Sequence, residues 1–399
     1  MSKHIGIFVD SRRKSGGAYQ ELLYIIKNFE KYSNDFKISI IFSNKNLDIN
    51  TQNMKFDIHY LEMNVFERYV SFLRNHHKIF RKLKKFLFFS NKFEKLIEKQ
   101  KIDLIYFTGP SQYSLFLENT KFIITVPDVA HRENLEFPEM INNSEFERRE
   151  EILLKVLPKA IAIVTNAKII KKRICFFYKV LEERILVINH QPSLAVENHS
   201  TTSNEFFDRI KKKFNLPNDY LFYPAMYFPH KNHKTLFDAI EILKSKNNTK
   251  NLVCCGSDNG YLNTLKKYIK SKNITEQIVF LDYVEDNELP YLYINSTMLI
   301  MTSLIGPTNI PPWEAFKLGV PVIYPNLEGI KEIYEECVSY YEPLDANDLA
   351  SKIDNLHTNN ELRNQLIERG KKKITEIIEK NEFSEVISHI NNFFQKKNL

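Results

Sequence analysis

With 399 residues, 43% of them hydrophobic and 26% charged, the chain has apolar side chains enough for two domain cores, which excludes an intrinsically disordered protein. Its formal charge of +7 is uneven: residues 1–200 carry 32 Lys+Arg against 23 Asp+Glu (+9), and residues 201–399 carry 24 against 26 (−2). No apolar run approaches the ~20 residues of a membrane-spanning helix, and the four cysteines form no C-x-x-C pair, which argues against a disulfide framework or a zinc site.

Met1-Ser2-Lys3-His4 runs directly into an apolar segment with no signal-type stretch, so a cytoplasmic location is expected. From there, strand-length apolar runs alternate with amphipathic stretches, the pattern of parallel sheets built from strand-helix-strand units. In the first half, strands are expected at Ile5 to Asp10, Ile38 to Ser43, Asp57 to Leu61, Leu104 to Thr108, Phe122 to Val126, Ala162 to Thr165 and Ile185 to Asn189. In the second half they are expected at Tyr220 to Ala225, Leu252 to Gly256, Ile278 to Tyr283, Met298 to Thr302, Val322 to Tyr324 and Ser339 to Tyr341. Residues 191–205 are rich in Ser, Thr and Asn without a sustained period, and read as a linker between domains 1–190 and 206–375. Residues 376–399 read as a terminal helix whose stripe of Phe383, Val386, Ile387, Ile390, Phe393 and Phe394 suits packing back on the first domain. The expected fold class is α/β, two Rossmann-like domains facing across a cleft.

Between Arg74 and Lys92 lie seven cations, Arg81, Lys82, Lys84 and Lys85 among them, and no acidic residue. Phe72, His76, Ile79, Phe80, Leu83, Phe86 and Leu87 recur there at helical spacing. A basic amphipathic helix results, suited to an anionic membrane surface or to a solvated face packed on its own domain. Nucleic acid is not expected, since no reader motif accompanies the patch.

In parallel sheets, ligands bind beyond the carboxyl ends of the strands, so the loops there carry the chemistry. After the first strand, Gly16-Gly17 precede a helix; they permit close backbone approach to a phosphate or sugar, or simply make a turn. In the second half, Lys231 follows Tyr223-Pro224 and leads into a helix, where it can neutralise phosphate or lie on the surface. In the loop from Thr302 to Ala315, three prolines stiffen the chain around Thr308 and Asn309, and Pro312-Trp313-Glu314-Ala315 can open a helix with N–H groups toward a diphosphate. Glu314, read as first-turn, can accept hydroxyl hydrogen bonds from a ribose or cap the helix.

These pieces resemble the family 4 retaining glycosyltransferases of the GT-B fold, especially the bacterial polysaccharide and lipopolysaccharide branch. The matching residues occur in family order: Gly16-Gly17, Pro127 to Arg132 with Phe137-Pro138-Glu139, Tyr223-Pro224 through His233, Phe280 to Val284, and Gly306 through Ala315 with Gly319 to Val322. The resemblance implies transfer of a mannose- or rhamnose-like hexose from a nucleotide sugar to a glycan or lipid-linked acceptor, at the inner face of a membrane. It implies that Lys231 binds the donor diphosphate and Glu314 the donor ribose. Thr308, Asn309 and Ile310 would lie by phosphates and sugar, Tyr283 and Val284 by the base, and Gly16 and Gly17 would close over the donor. Asp128 and His131 would be the catalytic candidates, and Arg81, Lys82, Lys84 and Lys85 the membrane or acceptor patch. Three positions depart from the family pattern: Gly306 replaces a glutamate, Met226 an arginine and Pro127 a histidine. No D-x-D triplet occurs, and no metal or other cofactor is expected. The alternatives are a non-catalytic relative that binds nucleotide or glycan, an epimerase or phosphorylase on the same scaffold, and a basic membrane- or nucleic-acid-binding scaffold.

Overall fold

The computed structural model describes residues 3–10, 16–45, 56–78, 91–199, 204–282, 284–307 and 309–397. Within them the chain forms two compact units, each a parallel sheet between helices.

The first unit combines Met1–Glu133, Ile141–Asn189 and Glu382–Leu399. Its strands are β1 (Lys3–Val9), β2 (Phe36–Phe42), β3 (Asp57–Tyr60), β4 (Leu104–Phe107), β5 (Lys121–Thr125), β6 (Ala162–Thr165) and β7 (Ile185–Val187), in the order β3-β2-β1-β4-β5-β6-β7. β1 pairs Ile5 with Ile38 on one side and with Leu104 on the other. Both faces of such a strand are covered, so β1 from Ile5 onward and all of β4 carry no charged residue. Ile5, Ile7 and Val9 pack with Leu22, Ile25 and Phe29 of the helix Gly17–Lys31, and with Phe383, Val386, Ile390 and Phe394 of the helix Phe383–Lys397. Glu382 ties that last helix down by accepting from the Asn189 backbone N–H at 2.7 Å.

The second unit holds Asn134–Met140 and His190–Asn381. Its strands are β8 (Leu221–Pro224), β9 (Leu252–Cys255), β10 (Ile278–Leu281), β11 (Met298–Ile300), β12 (Val322–Pro325) and β13 (Ser339–Tyr341), in the order β10-β9-β8-β11-β12-β13, all parallel. Strand order reverses between β1 and β4 in the first sheet and between β8 and β11 in the second. Those reversals open a crevice at the carboxyl ends of the flanking strands.

Every expected strand occurs, with bounds within two residues of the sequence reading. Two expectations are corrected. Residues 190–199 are part of the second unit, not a free linker: they form the helix Leu194–Glu197, with Ser193 and Val196 buried. The basic stretch does not continue the helix of Phe72 and His76 either: the chain is extended at His77, and residues 79–90 lie outside the described ones. The helix Val65–His76 stops at His77, and a separate helix, Lys92–Gln100, begins on the Asn91 side-chain cap. Arg74 and Lys92 at its two ends are spent on internal ion pairs with Glu118 (3.0 Å) and Glu67 (2.6 Å). Arg81, Lys82, Lys84 and Lys85 lie outside the described residues.

Candidate functional site

The second unit places its polar loops at the β8/β11 reversal. After β8 the chain makes a single turn, Pro229–Lys231, then Asn232 in the left-handed region, then the helix His233–Ser245. After β11 it runs through Thr302 and Ser303 to the helix Ile310–Leu318. The two loops are laced together: the Leu304 N–H donates to the His230 carbonyl at 2.9 Å, and the Lys231 carbonyl accepts from Tyr223 Oη at 2.7 Å and from Thr302 Oγ1 at 2.9 Å. Fixed in this way, Lys231 Nζ donates to Ser303 Oγ at 3.3 Å and to Asn309 Oδ1 at 3.4 Å. An ammonium at a strand-order reversal is placed to meet an anion.

Asn309 is the N-cap residue of the helix Ile310–Leu318, yet its side chain caps nothing. Its amide nitrogen donates instead to the Gly306 carbonyl at 3.1 Å and to Tyr324 Oη at 2.5 Å, while Tyr334 Oη donates to its carbonyl at 3.2 Å. The helix begins at Ile310, two residues before the expected start, because prolines are accepted in a first turn whose N–H groups have no helical partner. Pro311 and Pro312 carry no N–H, so they remove two of the four donors that a helix start normally presents. Glu314 is therefore the fifth helical residue, not a first-turn cap. It is 4% exposed, and Tyr293 Oη donates to its Oε2 at 2.6 Å. Burial pushes its carboxyl above the usual range, against the opposing pull of Ser193 and Tyr293. Ile310 and Val284 are buried. Thr308 and Tyr283 lie outside the described residues. Gly306 has φ 89°, left-handed backbone that a glutamate would adopt only under strain.

In the first unit, Gly16 (φ 85°) stands before the helix Gly17–Lys31, and both glycines are exposed. Asp10, at the end of β1, accepts from Ser43 Oγ and Ser111 Oγ, each at 2.6 Å, which fastens the ends of β1, β2 and β4 together. Asp128 accepts from the Ala130 N–H at 2.9 Å and from Arg149 Nη2 at 2.5 Å. Burial pushes its carboxyl up but is outweighed by Arg149 and the Ala130 hydrogen bond, which hold it below the usual range. His131 is the other expected catalytic residue. It is fully buried, with Nε2 3.2 Å from both Glu150 Oε2 and Tyr178 Oη, and burial and Arg149 push its pKa down.

Several groups have partners that the sequence reading did not assign. Ser303 and Tyr293 follow no motif or period that would mark them. Glu139 accepts from the His230 N–H at 3.0 Å and also bonds His230 Nδ1, so it braces the residue beside Lys231; nothing periodic connects positions 91 apart. Glu21 is buried and accepts from Asn166 Nδ2 at 3.0 Å; burial, with Asp128 nearby, raises its carboxyl to about 7. Among the described residues, no three or more His, Cys, Asp or Glu side chains converge as a metal site.

Residues 204–373 match the family model of the glycosyl transferases group 1. The O-antigen chain mannosyltransferase RfbU of Salmonella typhimurium is 25% identical over 194 residues, 49% of this chain and 50% of that protein. O-antigen chain mannosyltransferase B of Escherichia coli is 23% identical over 180 residues, 43% of this chain and 47% of that one. The chain thus spans about half the length of these curated relatives. Among solved structures, Anabaena Alr3699/HepE in complex with UDP-glucose has a TM-score of 0.73 at 15% identity, covering 96% of this chain and 99% of that one. WaaG, a glycosyltransferase involved in lipopolysaccharide biosynthesis, has a TM-score of 0.69 at 12% identity, covering 95% and 98%. At such identities the likeness speaks for the fold alone, and that fold is GT-B, two Rossmann-like α/β domains.

Proposed function

We propose that this chain is a glycosyltransferase that moves a hexose from a nucleotide sugar to a glycan or lipid-linked acceptor in the assembly of a surface polysaccharide of the O-antigen or lipopolysaccharide kind. The observation that carries the reading is Lys231, held by Ser303 and Asn309 where strand order reverses, inside the segment that matches the glycosyl transferases group 1 model. The donor diphosphate is assigned to Lys231 with the Asn309 and Ile310 amides, the ribose to Glu314 and the base to the segment at Val284. The acceptor is assigned to the first unit, with Gly16, Gly17 and Asp128. A mannose-like sugar is the reading favoured by the relatives' names.

Transfer with retention breaks the bond from sugar C1 to the diphosphate oxygen and forms one from C1 to the acceptor oxygen on the same face. The leaving phosphate takes the acceptor proton, so the protein contributes position and charge and no nucleophile. Lys231 and the helix start perform the electrostatic work, and no metal is required in this scheme.

Peripheral attachment at the cytoplasmic face of a membrane belongs to the same reading. Among the described residues no helix is long and apolar enough to cross a membrane. Val65, Phe66 and Tyr69, however, are 74%, 56% and 60% exposed on one helix, just ahead of the basic stretch. A second reading, nucleotide binding without turnover, is favoured by Gly306, whose backbone does not suit the glutamate of the family pattern.

Thermal melting with uridine and guanosine diphosphates and their hexose conjugates, with and without EDTA, tests the assignment. A ligand at ~100 times its Kd adds about 2.7 kcal/mol of stability. A selective shift that resists EDTA and is lost in Lys231→Ala is expected, with hexose transfer of unchanged anomeric configuration by NMR. A shift without transfer selects the second reading, and no shift with any nucleotide refutes both.

A further inference from the structure

We propose that Tyr293 is the positioning residue that aims Glu314 at the donor ribose, an inference that rests on the donor assignment above. Tyr293 lies in the short helix Leu289–Ile294 and is fully buried, with its ring edge-on to Phe222 at 5.0 Å. Its hydroxyl donates to Glu314 Oε2 at 2.6 Å, a short charge-assisted hydrogen bond between two buried groups.

That bond does two things. It fixes the carboxylate's rotation, since one oxygen is pinned by a rigid ring, so the remaining lone pairs take one set of directions. It also opposes protonation of a carboxyl that burial pushes up and that Asp286 pushes further in the same direction. Ser193, the N-cap residue of the helix Leu194–Glu197, also pulls the Glu314 pKa down. Tyr293 stays protonated through the working pH range, because burial, Glu314 and Cys255 all raise its hydroxyl well above its ordinary value. Glu314 is therefore oriented for ribose hydroxyls by Tyr293, which together with Ser193 opposes its protonation.

The test compares ribose and 2′,3′-dideoxyribose forms of uridine and guanosine diphosphate by calorimetry, on the unmodified protein and on Tyr293→Phe. The unmodified protein is expected to prefer the ribose form of whichever base it binds. Tyr293→Phe, which keeps the ring packing, is expected to lose about tenfold in affinity for the ribose form and almost none for the dideoxy form. The pH at which ribose-form binding falls on acidification is expected to move upward in the variant, because its carboxyl protonates more readily. Equal losses for both forms, or an unmoved pH midpoint, would overturn the proposal.

If Tyr293→Phe does not fold, the unmodified protein still decides. The ribose preference must stay constant between about pH 7 and about pH 9, since an ionising tyrosine would stop donating; a preference that fades across that range overturns the proposal. Failure of every nucleotide to bind the unmodified protein would instead strike the glycosyltransferase reading itself. Ribose-dependent binding that Tyr293→Phe leaves intact would sink only the role of Tyr293.

Discussion

Glu21 is poised to titrate near neutrality, because it is buried with Asn166 as its donor and Asp128 close by. A carboxyl whose folded pKa lies above its unfolded value holds more protons when folded. Its stabilising contribution is therefore complete below the unfolded value of 4.5 and is lost as pH rises through about 7. The span between those values amounts to about 3 kcal/mol. Glu21→Gln keeps an oxygen for Asn166 and removes the titration. It should match the unmodified protein near pH 5 and melt higher near pH 8, as read by urea or thermal unfolding; parallel pH profiles would refute the assignment. Residue-scale chemistry was only half legible in the sequence. Lys231 stood out because it follows a strand and precedes a helix, but its anchors Ser303 and Tyr223 are joined to it only by folding. The partners of His131 were equally hidden, because its sequence neighbourhood shows neither Glu150 nor Tyr178.

The helix Ile310–Leu318 shows how an element is placed by its neighbours. It carries Glu314 and packs against the helix Asn360–Lys380, whose Gly370 leaves room for Phe316: a Cβ there would sit 2.5 Å from Phe316 Cδ1. Gly370→Ala should destabilise the protein by about 1–3 kcal/mol, as overpacking does, and should weaken nucleotide binding by displacing the helix that bears Glu314. Chemical denaturation beside calorimetry checks both, and an unchanged midpoint would contradict the packing argument. The strands were legible because apolar runs of four to seven residues between turn signals carry a clear signal. The helix Leu194–Glu197 was not, since four residues are too few to show a period and its burial depends on the helices it meets. The early start at Ile310 was missed for a related reason: paired prolines read as loop until their tolerance in a first turn is weighed.

On the scale of the molecule, alternation of strands and helices was enough to specify two Rossmann-like units, and the apolar stripe after Asn381 pointed to a closing helix on the first, but nothing showed that Asn134–Met140 joins the second. The first unit draws on three stretches of chain, and the last of them, the helix Phe383–Lys397, supplies Phe383, Val386, Ile387, Ile390 and Phe394 to its core. Ending the chain at Asn381 removes these side chains and the Glu382 tie to Asn189 together. The expected outcome is a first unit that no longer unfolds cooperatively, seen by calorimetry as loss of one transition while the second unit keeps its own. A truncated protein that melts as the full one does would refute this.

The same three-part construction sets an order on synthesis. A ribosome releases the second unit's residues before the closing helix of the first, so the first sheet waits through about 200 further residues with one apolar face covered only in part, by the helix Gly17–Lys31. At ordinary elongation rates that wait is on the order of 10–40 s. The first sheet is thus closed only after the second unit has been made.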